Sequence, residues 1–168
     1  EKQHRLLGII QEECERLITS VNKILNLSRM DAGIMDYDME ACSLSELIEM
    51  SASKINPIAE RKGISLELDL TGSLPHARID EEKIGQVLDN LLDNAIKFTP
   101  EGGKVTIGAS VRGEDRAKGS SKEEKEFIEV SVSDTGYGIA EESIPDVFDK
   151  FKRLHDTGPG LGLYIAKQ

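Results

Sequence analysis

Residues 89–98 read Asp89-Asn90-Leu91-Leu92-Asp93-Asn94-Ala95-Ile96-Lys97-Phe98, and everything around them takes its meaning from how this stretch folds. Ile84, Val87, Leu88, Leu91, Leu92, Ala95 and Ile96 recur at helical spacing. Asn90 and Asn94, four residues apart, share a different face. Upstream, Asp80 is a good N-cap, and Glu81 and Glu82 fall in the first turn, where acidic side chains favour a helix. Downstream, Pro100, Gly102 and Gly103 close the helix off.

Working outward, Val105, Ile107 and Ala109 alternate as one strand, and Ile128, Val130 and Val132 as the next. The charged, Gly- and Ser-containing stretch 112–126 between them reads as a solvated, mobile hairpin loop. On the N-terminal side, Ile64, Leu66, Leu68 and Leu70 alternate as a half-buried strand. A turn from Thr71 to Pro75 and a short extended piece then lead to Asp80. Before that, Ser43 and Glu46 form a capping box opening a helix whose inner stripe is Leu44, Leu47, Ile48, Ser51, Ile55 and Ile58. Pro57 should kink or break that helix, and Gly63 should end it. Met35, Tyr37 and Met39 alternate as a short strand would. The first segment is a long helix, with Leu7, Ile10, Cys14, Leu17, Val21, Ile24 and Ser28 in steps of three and four, and Gly33 as its stop. So narrow a stripe calls for a partner helix. The order, a helix followed by strands and helices joined mostly as antiparallel neighbours, predicts an α+β fold.

Composition narrows the classes. A hydrophobic fraction of 38% against 31% charged residues is that of a globular protein, and 168 residues suffice for one domain with a helical appendage. With aromatic residues at 4%, the core must rest on Ile, Leu and Val. A formal charge of −10 disfavours nucleic acid and anionic membranes as partners. Cys14 and Cys42 lack metal-ligand spacing and lie among apolar residues, so both are expected as buried thiols in a reducing compartment. No apolar run approaches a membrane span, which places this piece in the cytoplasm, with a membrane sensor possible elsewhere in a parent protein.

Three pieces carry chemistry. The amide oxygens of Asn90 and Asn94 can ligate or orient a hard cation such as Mg²⁺, which shares its shell with phosphates, and Lys97 can reach the same phosphates. A solvent-exposed polar face is the alternative for such a pair. Asp134-Thr135-Gly136-Tyr137-Gly138-Ile139 follows a strand directly. Its carboxylate can accept from an exocyclic amine such as that of adenine, Thr135 can assist, and the glycines let backbone approach a planar ligand. A plain strand–turn serves equally as an explanation. Gly158-Pro159-Gly160-Leu161-Gly162-Leu163 opens a helix and can offer amides to a polyphosphate. It matches neither the P-loop nor the dinucleotide fingerprint.

Together, and in this order, the three resemble the N, G1 and G2 boxes of the histidine kinase ATP-binding domain, of GHKL type. Phe148-Asp149-Lys150-Phe151-Lys152-Arg153 looks like that family's F box. LNLSRMDAG, residues 25–33, resembles the end of the second helix of its dimerisation hairpin. The resemblance implies a two-layer α/β sandwich of the Bergerat type, with a mixed, mostly antiparallel sheet under helices and a long coiled-coil-like helix before it. Residues 1–33 would be a partial dimerisation and phosphotransfer helix, and 34–168 the catalytic domain.

It further implies that ATP and Mg²⁺ bind here, with Asn94 and Asn90 on the metal and phosphates and Lys97 nearby. Phe98 would lie near sugar or base, Asp134 would take the adenine amine, and Gly136, Gly138 and Ile139 would give the base room. Arg153 would approach the terminal phosphate, and Gly158, Gly160, Leu161 and Gly162 would wrap the polyphosphate. Residues 139–157 would form a mobile lid anchored by Phe148 and Phe151. The partners implied are a phosphoacceptor histidine helix of the same or a second subunit, a response regulator, and a second copy of the chain through its N-terminal helix. The full protein of such a family can be anchored in the inner membrane.

The sequence departs from this pattern at both ends. The acceptor histidine belongs to a first helix that is absent here, and His4, followed by Arg5 and Leu6, lacks its motif. His76 and His155 default to the surface. The family usually continues into two further strands, so the domain reads as cut short at Gln168. Two alternatives to a kinase remain. One is a non-catalytic nucleotide-binding or scaffold module. The other is an ATPase of the gyrase, MutL or chaperone type, which would place a Glu where Asn90 stands.

Overall fold

The computed structural model describes residues 2–113, 126–150 and 162–167. The chain divides into two compact units, 1–37 and 38–167.

The first unit is helix α1, Lys2–Asp31, followed by Gly33 at φ 64°, the left-handed stop expected there. Along it Leu7, Ile10, Leu17, Val21 and Ile24 are all more than half exposed. Cys14 is exposed as well, which corrects the expectation of a buried thiol. It lies on the helix's apolar seam, and a seam is buried only by a second helix.

The junction of the two units is a stretch without regular structure. Residues 35–39 carry no ladder, with Tyr37 and Met39 exposed, and the strand β1 is Glu40–Cys42. Just before it, the Asp38 N–H is committed to Asp80 Oδ2 at 3.1 Å and is not offered to a ladder. β1 pairs antiparallel with β3, Ala77–Ile79. Cys42 is half-buried. Desolvation first, and then the charge of Glu81, push its thiol up from the ordinary value, leaving it a poor nucleophile at neutral pH.

Helix α2, Leu44–Arg61, is capped by Ser43, whose Oγ accepts from the Glu46 N–H. It continues through Pro57 without a break. Its end is a Schellman turn: Gly63, at φ 66°, donates to Glu60 O, and Ile64 donates to Ala59 O. β2 is Ser65–Leu70, and helix α3 is Glu81–Phe98, with Asp80 Oδ1 accepting from the Lys83 N–H at 3.0 Å. β4 is Lys104–Gly113 and β5 is Glu126–Asp134. The tip between them falls outside the described residues, as do Phe151, Arg153, Gly158, Gly160 and Leu161. A 3₁₀ turn, Glu141–Asp146, and helix α4, Gly162–Lys167, complete the elements.

The main sheet runs β2-β4-β5. β4 and β5 form the antiparallel hairpin, with Val105 opposite Asp134 and Ile107 opposite Val132. β2 pairs with β4 in parallel, Leu66 opposite Val105. A parallel pair needs a crossover, and α3 supplies it, which obliges α3 to lie on the face of the sheet. One core joins Leu47, Ile48 and Ile55 of α2, Leu88, Leu92 and Ile96 of α3, and Val105, Ile107 and Ala109 of β4. The result is an α+β sandwich of helices over a mixed sheet.

Candidate functional site

Because α3 buries Leu88, Leu92 and Ile96 against the sheet, its Asn-bearing side is turned toward the later part of the chain. Asn90 is buried, Asn94 and Phe98 are half-buried, and Lys97 is exposed, with its Nζ 4.9 Å from the Phe98 ring centroid. From Asn90 to Phe98 is about 12 Å along the axis.

Gly162, the first residue of α4, lies against the N-terminal end of this stretch. A Cβ there would stand 3.4 Å from Asn90 Oδ1 and 3.6 Å from its Cγ. At the other end, the loop after β5 folds back on Phe98. The Tyr137 N–H donates to Phe98 O at 3.4 Å. A Cβ at Gly136 would meet Phe98 O at 2.6 Å and Asp134 Oδ1 at 2.7 Å, so only glycine fits. The Gly136 N–H donates to Asp134 Oδ1 at 2.8 Å, which orients the exposed carboxylate while leaving it further acceptor capacity. Gly138, at φ 70°, turns the chain, and Ile139 and Tyr137 face outward.

Thr135 has a second task that its sequence context does not advertise. Its N–H donates to Lys104 O at 3.1 Å, and its Oγ1 accepts from the Lys104 N–H at 2.9 Å, fastening the loop to the start of β4. Lys62 is likewise invisible as a site residue in the sequence. Its Nζ donates to Ile96 O at 2.6 Å and to Lys97 O at 3.3 Å. Past the 3₁₀ turn, Val147 is buried, whereas Phe148 is 42% exposed with Lys167 Nζ 5.8 Å from its ring centroid. Phe148, expected as an anchor, is thus exposed with its ring against a cation, and it is Val147 beside it that is buried. Lys150 Nζ stands 5.0 Å from the Tyr164 ring in the same way.

Among the described residues, no group of three His, Cys, Asp or Glu side chains is placed to hold a metal. A cation beside Asn90 and Asn94 would draw on their amide oxygens and on oxygens brought by a ligand. That donor set suits Mg²⁺, which keeps much of its shell for phosphate and water. No described helix is long and apolar enough to cross a membrane.

A glycine loop at the end of an asparagine-bearing crossover helix, with a helix-opening glycine against its middle, is the arrangement of an ATP-binding domain of the histidine kinase class. The family described as Histidine kinase-, DNA gyrase B-, and HSP90-like ATPase matches residues 79–168, and the chain belongs to it. Among curated relatives, the sensor histidine kinase WalK of Bacillus subtilis (strain 168) is 33% identical over 98% of this chain. The chain spans 26% of that relative's length. Among solved structures, full-length ShkA in complex with AMPPNP superposes with a TM-score of 0.79 at 27% identity, covering 99% of this chain and 33% of that one. Histidine kinase ThkA in complex with the response regulator TrrA gives 0.65 at 26% identity, covering 94% of this chain and 41% of that one.

Proposed function

We propose that this domain binds Mg²⁺-ATP along α3 and transfers the γ-phosphoryl group to a histidine on a dimerisation helix outside the chain, for relay to a response regulator. The observation that carries the proposal is the convergence of Gly162 on Asn90, at the middle of α3, and of Gly136 on Phe98, at its C-terminal end. Their separation, about 12 Å along the axis, suits a nucleotide lying lengthwise with phosphates at one end and base at the other.

In this scheme the Asp134 carboxylate accepts from the adenine amine, while Gly136 and Gly138 give the base room beside Ile139. Phe98 borders sugar or base, and Lys97 neutralises phosphate charge. Asn90 and Asn94 turn amide oxygens toward Mg²⁺ and the phosphates, and Gly158, Gly160, Leu161 and Gly162 offer backbone N–H groups to the polyphosphate. Arg153 stabilises the terminal phosphate. Bound Mg²⁺ supplies charge neutralisation on the phosphate oxygens. Phosphoryl transfer asks of a protein mainly such positioning, since the nucleophile comes from the partner helix. A hydrolase would need a base for water, and the neutral amide of Asn90 cannot take a proton. The row of exposed apolar side chains on α1 supports a homodimer of the full protein through that helix.

Calorimetry with ATP and MgCl₂ tests the site. The wild-type chain should give a saturable heat, and Asn94→Ala and Asp134→Ala should each weaken binding about 10- to 100-fold, as expected for lost hydrogen bonds to charged groups. A chain that gives no heat, or variants that bind as wild type, would refute the site. Adding a separate acceptor-helix fragment and labelled ATP should then place acid-labile phosphate on the fragment; free phosphate alone would point to a hydrolase.

A further inference from the structure

The last four carbonyls of any α-helix lack intrahelical donors and must find partners elsewhere. In α3 these are Ala95, Ile96, Lys97 and Phe98, and each one is accounted for. Ala95 O accepts from the capping Thr99 N–H at 3.1 Å, and Phe98 O accepts from the Tyr137 N–H. The middle two, Ile96 O and Lys97 O, accept from one ammonium, that of Lys62. A cation from the end of α2 thus completes the helix end that the base-binding loop leans on.

Lys62 is itself held in place. It is the C-cap of α2, its backbone N–H donating to Ile58 O and Ala59 O, and the next residue is the left-handed Gly63. The Gly63 carbonyl accepts from the Gly102 N–H at 2.9 Å, and Gly103 O accepts from the Ser65 N–H at 2.9 Å. The turn after α2 and the turn after α3 are therefore stitched together by two backbone bonds just past Lys62. Gly103 leads directly to Lys104, whose backbone holds Thr135. Two routes run from Lys62 to the glycine loop, one through Phe98 O and one through Lys104.

From this connection we infer that Lys62 is a positioning residue for the adenine end of the site, setting the C-terminal turn of α3 so that the Asp134–Gly138 loop closes on Phe98. This rests on the reading of Asp134 as the base-binding carboxylate. Lys62 touches no nucleotide and acts through the helix end. Removing its charge leaves two carbonyls without their donor and weakens the platform under Gly136, while the Gly162 end at Asn90 is untouched. The cation also sits where the negative end of the helix dipole lies, which makes its attraction to the helix end favourable without any second residue.

The test compares Lys62→Met and Lys62→Arg with wild type in the full chain. ATP binding by calorimetry should weaken about three- to tenfold in Lys62→Met, in line with loss of a cation at a helix C-terminus. It should recover at least in part in Lys62→Arg, which keeps the charge and donors. The loss should be the same for ADP, which shares the base, and with an acceptor fragment it should fall on KM for ATP with kcat unchanged. Amide hydrogen exchange supplies the second readout. Protection of the Tyr137 N–H should drop in Lys62→Met, with Ile107 and Leu92 amides unaltered. Wild-type affinity in Lys62→Met, or an equal loss of protection through α3 and β4, would overturn the inference. Absence of ATP binding in the wild-type chain would instead refute the nucleotide site itself, while the Tyr137 exchange comparison would still decide whether Lys62 orders the loop.

Discussion

Asp80 joins two tasks in one carboxylate. Its Oδ1 caps α3 through the Lys83 N–H, and its Oδ2 receives the Asp38 N–H at the start of the second unit. The Lys83 amide is the largest influence holding its carboxyl below the ordinary value; desolvation opposes it, and the Asp38 amide adds to it. A carboxyl whose native value is depressed lends stability that is complete above its unfolded value, near ~4, and is lost as pH falls through the native one. Asp80→Ala should cost about 1–2 kcal/mol at neutral pH, as for other lost N-caps. In urea unfolding, the gap between wild type and Asp80→Asn should narrow steadily as the pH is taken below ~4; a gap unchanged in acid would show that charge plays no part. The capping role was legible from Asp-Glu-Glu before an apolar periodicity. The bond to Asp38 was not, because it spans 42 residues and no local pattern reports it. Gly136 behaves likewise. The pair of glycines was visible, but the reason for the first, a carbonyl 2.6 Å from where its Cβ would be, exists only once α3 and the loop meet.

Elements follow their patterns until a neighbour overrides them. The stripe of α2 was expected to end on Ile58, yet Ile58 is 40% exposed and Ala59 is fully buried. The Schellman turn accompanies the exchange: the Ile64 N–H bonds back to Ala59 O, and both residues are buried. The alternation of Met35, Tyr37 and Met39 gave no strand because period alone does not supply a partner, and the Asp38 amide was already committed. Where burial on one face is continuous, pattern and structure agree, as along α3. Leu92, 1% exposed under that helix, should cost about 2–5 kcal/mol as Leu92→Ala. Ile58→Ala should cost under about 1 kcal/mol despite the comparable side chain. Chemical unfolding monitored by circular dichroism decides between them, and near-equal losses would contradict the burial assigned to these helices.

For the whole molecule, the two units present different surfaces. The seam of α1, with Leu7, Ile10, Leu17, Val21 and Ile24 exposed, is an apolar stripe of the sort a coiled coil covers. The proposed homodimer predicts concentration-dependent dimers in sedimentation velocity, which Val21→Glu should shift toward monomers without lowering ATP affinity. A chain that stays monomeric at high concentration would remove that part of the proposal. This stripe was readable in sequence because steps of three and four need no tertiary context. The parallel pairing of β2 with β4 was not, since it depends on where a crossover helix lands. The pairing of β4 with β5 has a further bearing on how such a domain can vary. Val105 faces Asp134 across the ladder, and side chains alternate from one side of a sheet to the other, so the parity of the hairpin decides which way the carboxylate looks. A one-residue slip of β5 against β4 would turn Asp134 to the opposite side, so the ladder is a ratchet in which only every second notch leaves the carboxylate facing its ligand.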